Sequence, residues 1–174
     1  MDDVVPGEGE MARRIRDFDW ASTPLGPAET WSPVLRMMLR VLLANRFPTV
    51  LWWGPHYIQF YNDAYRPIPG TKHPEMSFGR PAAESWPEIW HIIGPMLDGV
   101  LGRGDATRAR DLLLMLERNG YPEECYFSFS YSPIRDESGG IGGVFTPVIE
   151  TTERVIGERR VATLRDLAAG RAAE

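Results

Sequence analysis

Between Thr107 and Ile149 the chain reads as three β-strands joined by two tight turns, which commits it to an antiparallel sheet. Thr107–Leu116 is the first run, and Asn119-Gly120 after it is the dipeptide that best tolerates the positive φ angles of a hairpin turn. Beyond the turn Cys125, Phe127, Phe129 and Tyr131 alternate with Tyr126, Ser128, Ser130 and Ser132. That period of two sends one set of side chains to a core face. Residues 136–140 supply the next turn, and residues 143–149 the third strand.

Upstream, Thr49–Trp53 and residues 57–61 form β-rich runs around Gly54-Pro55, a second hairpin. Asn62 and Asp63 cap a brief helical turn after it. Residues 11–17 suit a short helix. Ser32-Pro33 opens a longer one, with apolar residues at 34, 35, 38, 39, 42 and 43 and a stop at Pro48. Ser85 and Glu88 have capping-box spacing and predict a second long helix, with Ile89, Ile92, Ile93, Met96, Leu97, Val100 and Leu101 on its apolar face. Gly94-Pro95 lies inside it. Proline removes one backbone bond and crowds the carbonyl of His91, so a kink or a split is expected there. Thr151 or Thr152 caps a closing helix over residues 153–169, with Val161, Leu164 and Ala168 at a–d–a spacing. This order predicts an α+β fold: a five-stranded antiparallel sheet with helices on one face, an N-terminal helical extension and a C-terminal output helix. The expected divisions are a disordered leader (1–10), a helical cap (11–47), a core (48–150) and a signalling helix (151–174).

Charge and cysteine content narrow the function. With 19 basic against 24 acidic residues and no clustered arginine stripe, nothing points to nucleic acid. Cys125 is alone, so it can complete neither an intramolecular disulfide nor a cysteine metal site, which favours a reducing compartment. Residues 1–10 are acidic, unlike a secretory leader. The stretch 34–43 is broken by Arg36 and Arg40 and falls short of a membrane span. A cytoplasmic location is expected. No Ser-His-Asp order, H-x-x-x-H pair or P-loop is present, so an enzyme is not expected.

Tyr61-Asn62-Asp63-Ala64-Tyr65, followed by Gly70, resembles the entry into the small central helices of PAS domains, the sensory fold of bacterial signalling proteins. Ser132-Pro133-Ile134-Arg135-Asp136-Glu137 with Gly139-Gly140 resembles its fourth and fifth strands. Glu150-Thr151-Thr152-Glu153-Arg154 is similar to the Asp-x-Thr-Glu-Arg signature joining the last strand to the output helix, with Glu in place of Asp. Phe18-Asp19-Trp20, Thr23-Pro24-Leu25-Gly26-Pro27 and Trp31 look like a subgroup found ahead of histidine kinase or phosphatase modules. The resemblance implies an input domain of a two-component or related protein, a linked output domain, a homodimer, and a pocket for a small molecule. It also implies a relay through Glu150, Thr152, Glu153 and Arg154.

The aromatic set Trp52, Trp53, Tyr65, Trp86 and Trp90 either lines that pocket or fills a core. Phe127 and Phe129 turn inward with it, joined by Leu113, Met115 and Val144. His91 sits where heme-carrying relatives place an iron ligand, and a surface histidine is the plainer reading. No cofactor is required by the sequence. Cys125, beside Glu123 and Glu124, is a poor thiolate. The closing helix either pairs with a second copy or docks on its own sheet, and a ligand-free interaction domain is the alternative to a sensor.

Overall fold

The computed structural model describes residues 5–172, with side chains through residue 169. The helices are α1 (Glu10–Asp17), α2 (Pro33–Ala44), α3 (Ala82–Ser85), α4 (Trp90–Arg103) and α5 (Thr152–Ala172). The strands are β1 (Thr49–Trp53), β2 (Ile58–Tyr61), β3 (Thr107–Leu116), β4 (Glu123–Arg135) and β5 (Ile141–Glu150). They form one antiparallel sheet in the order β2-β1-β5-β4-β3, so the chain's last strand closes against its first. The two sequence-predicted hairpins are its two ends.

Every residue of β1 is buried, because both faces of that strand are covered. Val50 and Trp52 face a cavity beneath α4, and Leu51 and Trp53 face the opposite way. On that opposite face Leu51 pairs with Phe60. The Trp20 ring stacks on Phe60 at 4.7 Å, and Trp31 meets it edge-on at 5.6 Å. Phe18 and Phe78 complete the cluster. Each such aromatic pair adds about 1 kcal/mol beyond its buried area. The Phe18-Asp19-Trp20 and Trp31 segments therefore serve to cover the sheet's second face. Trp53 needs Gly143 for its place: a Cβ there would lie 2.5 Å from the Trp52 carbonyl oxygen and 2.6 Å from the Trp53 ring.

Residues 1–4 of the expected leader lie outside the described residues, as do the last two of the expected signalling helix. The rest of the leader is not free chain. Val5 is fully buried, and Arg16 Nη1 donates to the Val5 and Gly7 carbonyls at 2.9 Å each. One apolar residue in an acidic, Gly/Pro-containing stretch is enough to seat it. Helix α1 docks through Glu10, whose carboxylate accepts from Arg14 Nε (2.8 Å) and pairs with Arg66 Nη2 (2.7 Å) and His73 Nε2 (3.1 Å). The Arg14 bond foremost, then the His73 bond, lowers its carboxyl to about 2. His73 Nδ1 in turn lies 2.7 Å from Tyr61 Oη, which meets Ser77 Oγ at 2.8 Å. The chain of bonds fixes α1 to β2.

Helix α2 begins as expected: Ser32 Oγ accepts from the Val34 and Leu35 amides. Leu35, Leu39 and Leu42 are its buried stripe. It stops at Ala44, one turn before Pro48. The capping box at Ser85 is absent. Ser85 closes α3 and donates back to the Pro81 carbonyl, and α4 starts only at Trp90. Pro87 is the cause, since it disfavours helical geometry at Trp86, which sits at φ −127° and ψ 47°. From Trp90 helix α4 runs as one element through exposed Pro95, which falls near its start and sacrifices a single bond.

Strand β3 departs from simple alternation. Thr107 and Ala109 face the core opposite Tyr131 and Phe129, but a bulge between Ala109 and Leu112 reverses the parity. Leu112, Leu114 and Leu116 then turn inward, while Leu113 and Met115 are 42% and 45% exposed. One inserted residue flips every side chain that follows. Asp111 occupies the bulge at φ 49°.

Candidate functional site

A cavity of about 50 Å³ lies between the sheet and the segment from Tyr65 to Ile93. Of the sequence-predicted pocket residues, the structure brings Trp52, Tyr65, Trp86, Phe127 and Phe129 together in its wall. Six others stand elsewhere. Leu113 and Met115 are on the outer face because of the bulge, and Leu114 and Leu116 take their place. Trp90 packs against Tyr57 at 5.8 Å. Val144 is fully buried opposite Trp52 in the β1–β5 ladder but outside the wall, and Trp53 lies on the far face. His91 is exposed on α4. The site does not fit a heme: its one nearby histidine is outside, and the space is far smaller than a porphyrin.

Polar atoms in the wall are few. Trp52 Nε1 donates to Thr146 Oγ1 at 2.9 Å, and Trp86 Nε1 donates to Gln59 Oε1 at 2.8 Å. Tyr65 and Tyr131 are 4% and 3% exposed, and neither hydroxyl has a hydrogen-bond partner among the described residues. Burial raises both phenols above their ordinary range, so both stay protonated.

The cavity's lid is tied down by a buried pair that periodicity could not reveal. Lys72 Nζ reaches Glu88 Oε1 at 2.6 Å and the Ser85 carbonyl at 2.9 Å, and lies 4.8 Å from the Trp86 ring centre. Burial, the largest single influence, raises the Glu88 carboxyl, but the Lys72 bond and charge together with backbone amide bonds leave the group below its ordinary range. The same carboxylate accepts the Glu117 amide at the end of β3.

From that end of the sheet a second set of bonds holds the root of α5. Arg118 Nη1 and Nη2 grip Glu150 at 2.8 Å each. Burial pushes Glu150 up, yet the guanidinium bonds leave it below the usual carboxylate range. Thr152 Oγ1 accepts the Tyr126 amide at 2.9 Å and donates to Glu150 at 3.0 Å. Arg154 reaches Asp111 in the β3 bulge, and Thr151 Oγ1 donates to the same oxygen at 2.8 Å. The Arg154 bond first, then that of Thr151, lowers the Asp111 carboxyl. Glu153 is exposed and joins none of these bonds. Arg159 still grips Glu124 of β4 at 2.8 and 3.0 Å, and beyond it the described side chains of α5 are all exposed, so the helix extends away from the sheet from there. No described helix is long and apolar enough to cross a membrane, and no described cluster of His, Cys, Asp and Glu is arranged to hold a metal. Cys125 is buried, and burial raises its thiol, with Arg118 opposing.

A five-stranded antiparallel sheet with a helical lid over a small apolar cavity, and an exit helix latched to its last strand, is the architecture of a PAS domain. The chain belongs to the PAS fold family, whose sequence profile matches residues 56–156. No curated protein sequence matches it. Among solved structures it is similar to the PAS domain from Bordetella pertussis BvgS, at 18% identity and a TM-score of 0.54, over 76% of this chain and 96% of that one. An RNA-binding Light-Oxygen-Voltage receptor aligns at 15% identity and a TM-score of 0.52 over 87% of this chain, which spans 43% of that receptor. A sensory box sensor histidine kinase from Vibrio cholerae aligns at 17% identity and a TM-score of 0.45, over 67% and 88%.

Proposed function

We propose that this PAS domain is the input module of a bacterial two-component or related signalling protein, with no chemistry of its own. A small molecule in the cavity shifts the packing at the root of α5, and α5 carries the change to an output domain such as a histidine kinase. One observation carries this reading: the residues that wall the cavity are chain neighbours of those that hold α5. Phe127 follows Tyr126, Val148 precedes Glu150 by two, and Leu116 precedes Arg118 by two. A ligand drives such a change only to the extent that it binds one packing more tightly. Filling the cavity from within tests the relay without naming a ligand. Leu114→Phe, with the gentler Val148→Leu beside it, is expected to change amide exchange of residues 151–158 at least several-fold. Unchanged exchange in α5 for both folded variants would sink the relay.

The exposed apolar stripe on α5 supports a homodimer. Val161, Leu164 and Leu167 are 47%, 66% and 62% exposed, and two turns of such a seam are stable only with a partner. The expected partner is a second copy. Sedimentation equilibrium should find a dimer at micromolar concentration, and Leu164→Asp should shift it to monomer. A wild-type chain that stays monomeric at 100-fold higher concentration removes this part of the reading. The small size of the cavity favours one other reading, a docking domain that signals through this seam with no ligand.

A further inference from the structure

We propose that the cavity takes a small uncharged molecule, no larger than a single six-membered ring, held through a hydrogen-bond acceptor by the hydroxyls of Tyr65 and Tyr131. This rests on reading the cavity as the sensing site. Both rings stand in its wall, more than nine-tenths buried, and both hydroxyl hydrogens lack an acceptor among the described residues. Neither oxygen is among the side-chain atoms that are both fully shut off and unpaired, so each hydroxyl borders open space, and in the cavity wall that space can hold a guest or an ordered water that accepts from both. Thr146 adds a third donor. Its oxygen already accepts from Trp52 Nε1, and no described acceptor takes its own O–H.

The rest of the wall sets the charge of the guest. None of its residues is Asp, Glu, Lys, Arg or His. Lys72, which lies 4.8 Å from the Trp86 ring centre, is paired with Glu88. A carboxylate or an ammonium group would be buried there without a counter-ion, which costs far more than the hydroxyls return. A neutral acceptor, a carbonyl oxygen or a ring nitrogen, needs only the donors present. Size follows from volume: an apolar cavity of about 150 Å³ holds benzene. At about 50 Å³ this one admits a single ring only if Ile89, Ile93 or Trp86 gives way.

Three probes separate these requirements in a titration of the whole chain followed by amide NMR shifts and by melting temperature. Pyrazine has the ring and the acceptors, benzene the ring alone, and acetate an acceptor with a charge. Pyrazine at millimolar concentration is expected to shift amides along β4 and β5 and to raise the melting temperature. Benzene should bind roughly tenfold more weakly, and acetate not at all. Tyr65→Phe and Tyr131→Phe keep the rings that fill the core and should each weaken pyrazine about fivefold to tenfold while leaving benzene unchanged. Benzene binding as tightly as pyrazine, indifferent to both variants, leaves a sensing cavity but overturns the acceptor. Acetate binding in the cavity overturns the requirement for neutrality. If none of the three binds, with water as the occupant, the cavity falls as a sensing site and this proposal with it.

Discussion

Replacing Asn62 with alanine is expected to cost the domain about 3 kcal/mol, a fall in melting temperature of roughly 6–12 °C. The side chain is 1% exposed and makes four bonds to backbone. Its Oδ1 accepts from the Thr49 and Tyr65 amides at 3.1 Å each, and its Nδ2 donates to the Asn45 and Phe47 carbonyls at 3.0 and 2.7 Å. Those four groups belong to the exit of α2, the start of β1 and the turn Asp63–Tyr65 that begins the lid. Alanine leaves the Thr49 amide and the Asn45 carbonyl without this partner, while the Tyr65 amide keeps the residue-62 carbonyl and the Phe47 carbonyl keeps Thr49 Oγ1, and an unmade buried bond costs more than a made one contributes. The partners also fix the amide's orientation, so Asn62→Asp is no rescue. It sets an oxygen against two carbonyls and buries a charge. For that variant the folded-state carboxyl pKa is raised, so stability should recover as pH falls and the carboxyl protonates. Urea midpoints with an unchanged slope will measure both effects. A loss under about 1 kcal/mol for Asn62→Ala would show that water replaces the amide and that the lid is not anchored here.

Asn62 was legible in the sequence as a cap after a hairpin; its reach back to Asn45 and Phe47 was not. The same division runs through the molecule. Turns, caps and alternation on β4 depend on near neighbours, and Asn119-Gly120, Ser32-Pro33 and the set Cys125 to Tyr131 stand as local chemistry dictates. Leu113 and Met115 misled because Leu112 to Leu116 is apolar at every position, so no pattern shows which side faces in. Asp111 breaks the alternation that Arg108 and Arg110 keep, and its positive φ is what reverses the parity. Ser85 misled because a capping box was read across Pro87, whose effect on the preceding residue is stronger. Lys72 and Arg118 are ordinary surface residues by type. Only the fold brings Lys72 to Glu88 and Arg118 to Glu150, and through those pairs the lid, the β3–β4 hairpin and α5 become one connected structure.

That connection makes Arg118 the residue whose loss should most change α5. Arg118→Ala removes two 2.8 Å bonds to Glu150 in a side chain only 13% exposed. Its backbone carbonyl, which accepts from the Thr71 amide and hydroxyl, stays in place, so the lid keeps that tether. With Glu150 30% exposed, solvent recovers part of the loss, and about 2 kcal/mol remains. Amide exchange over residues 151–158 should then accelerate roughly tenfold to thirtyfold, while the centre of β4 is unchanged. Arg118→Lys should restore little, because an ammonium group cannot grip both carboxylate oxygens in a fork. The decisive comparison adds Asp111→Ala, which frees Arg154 on the other side of the helix root. If the two loosen α5 additively, the helix hangs from two independent hinges, and a shift in the cavity could move one without the other. If the double variant loosens it no more than the stronger single one, Glu150 and Asp111 close a single clamp. Only the clamp lets a small displacement of β4 and β5 swing the whole helix, which is the motion an output domain would read.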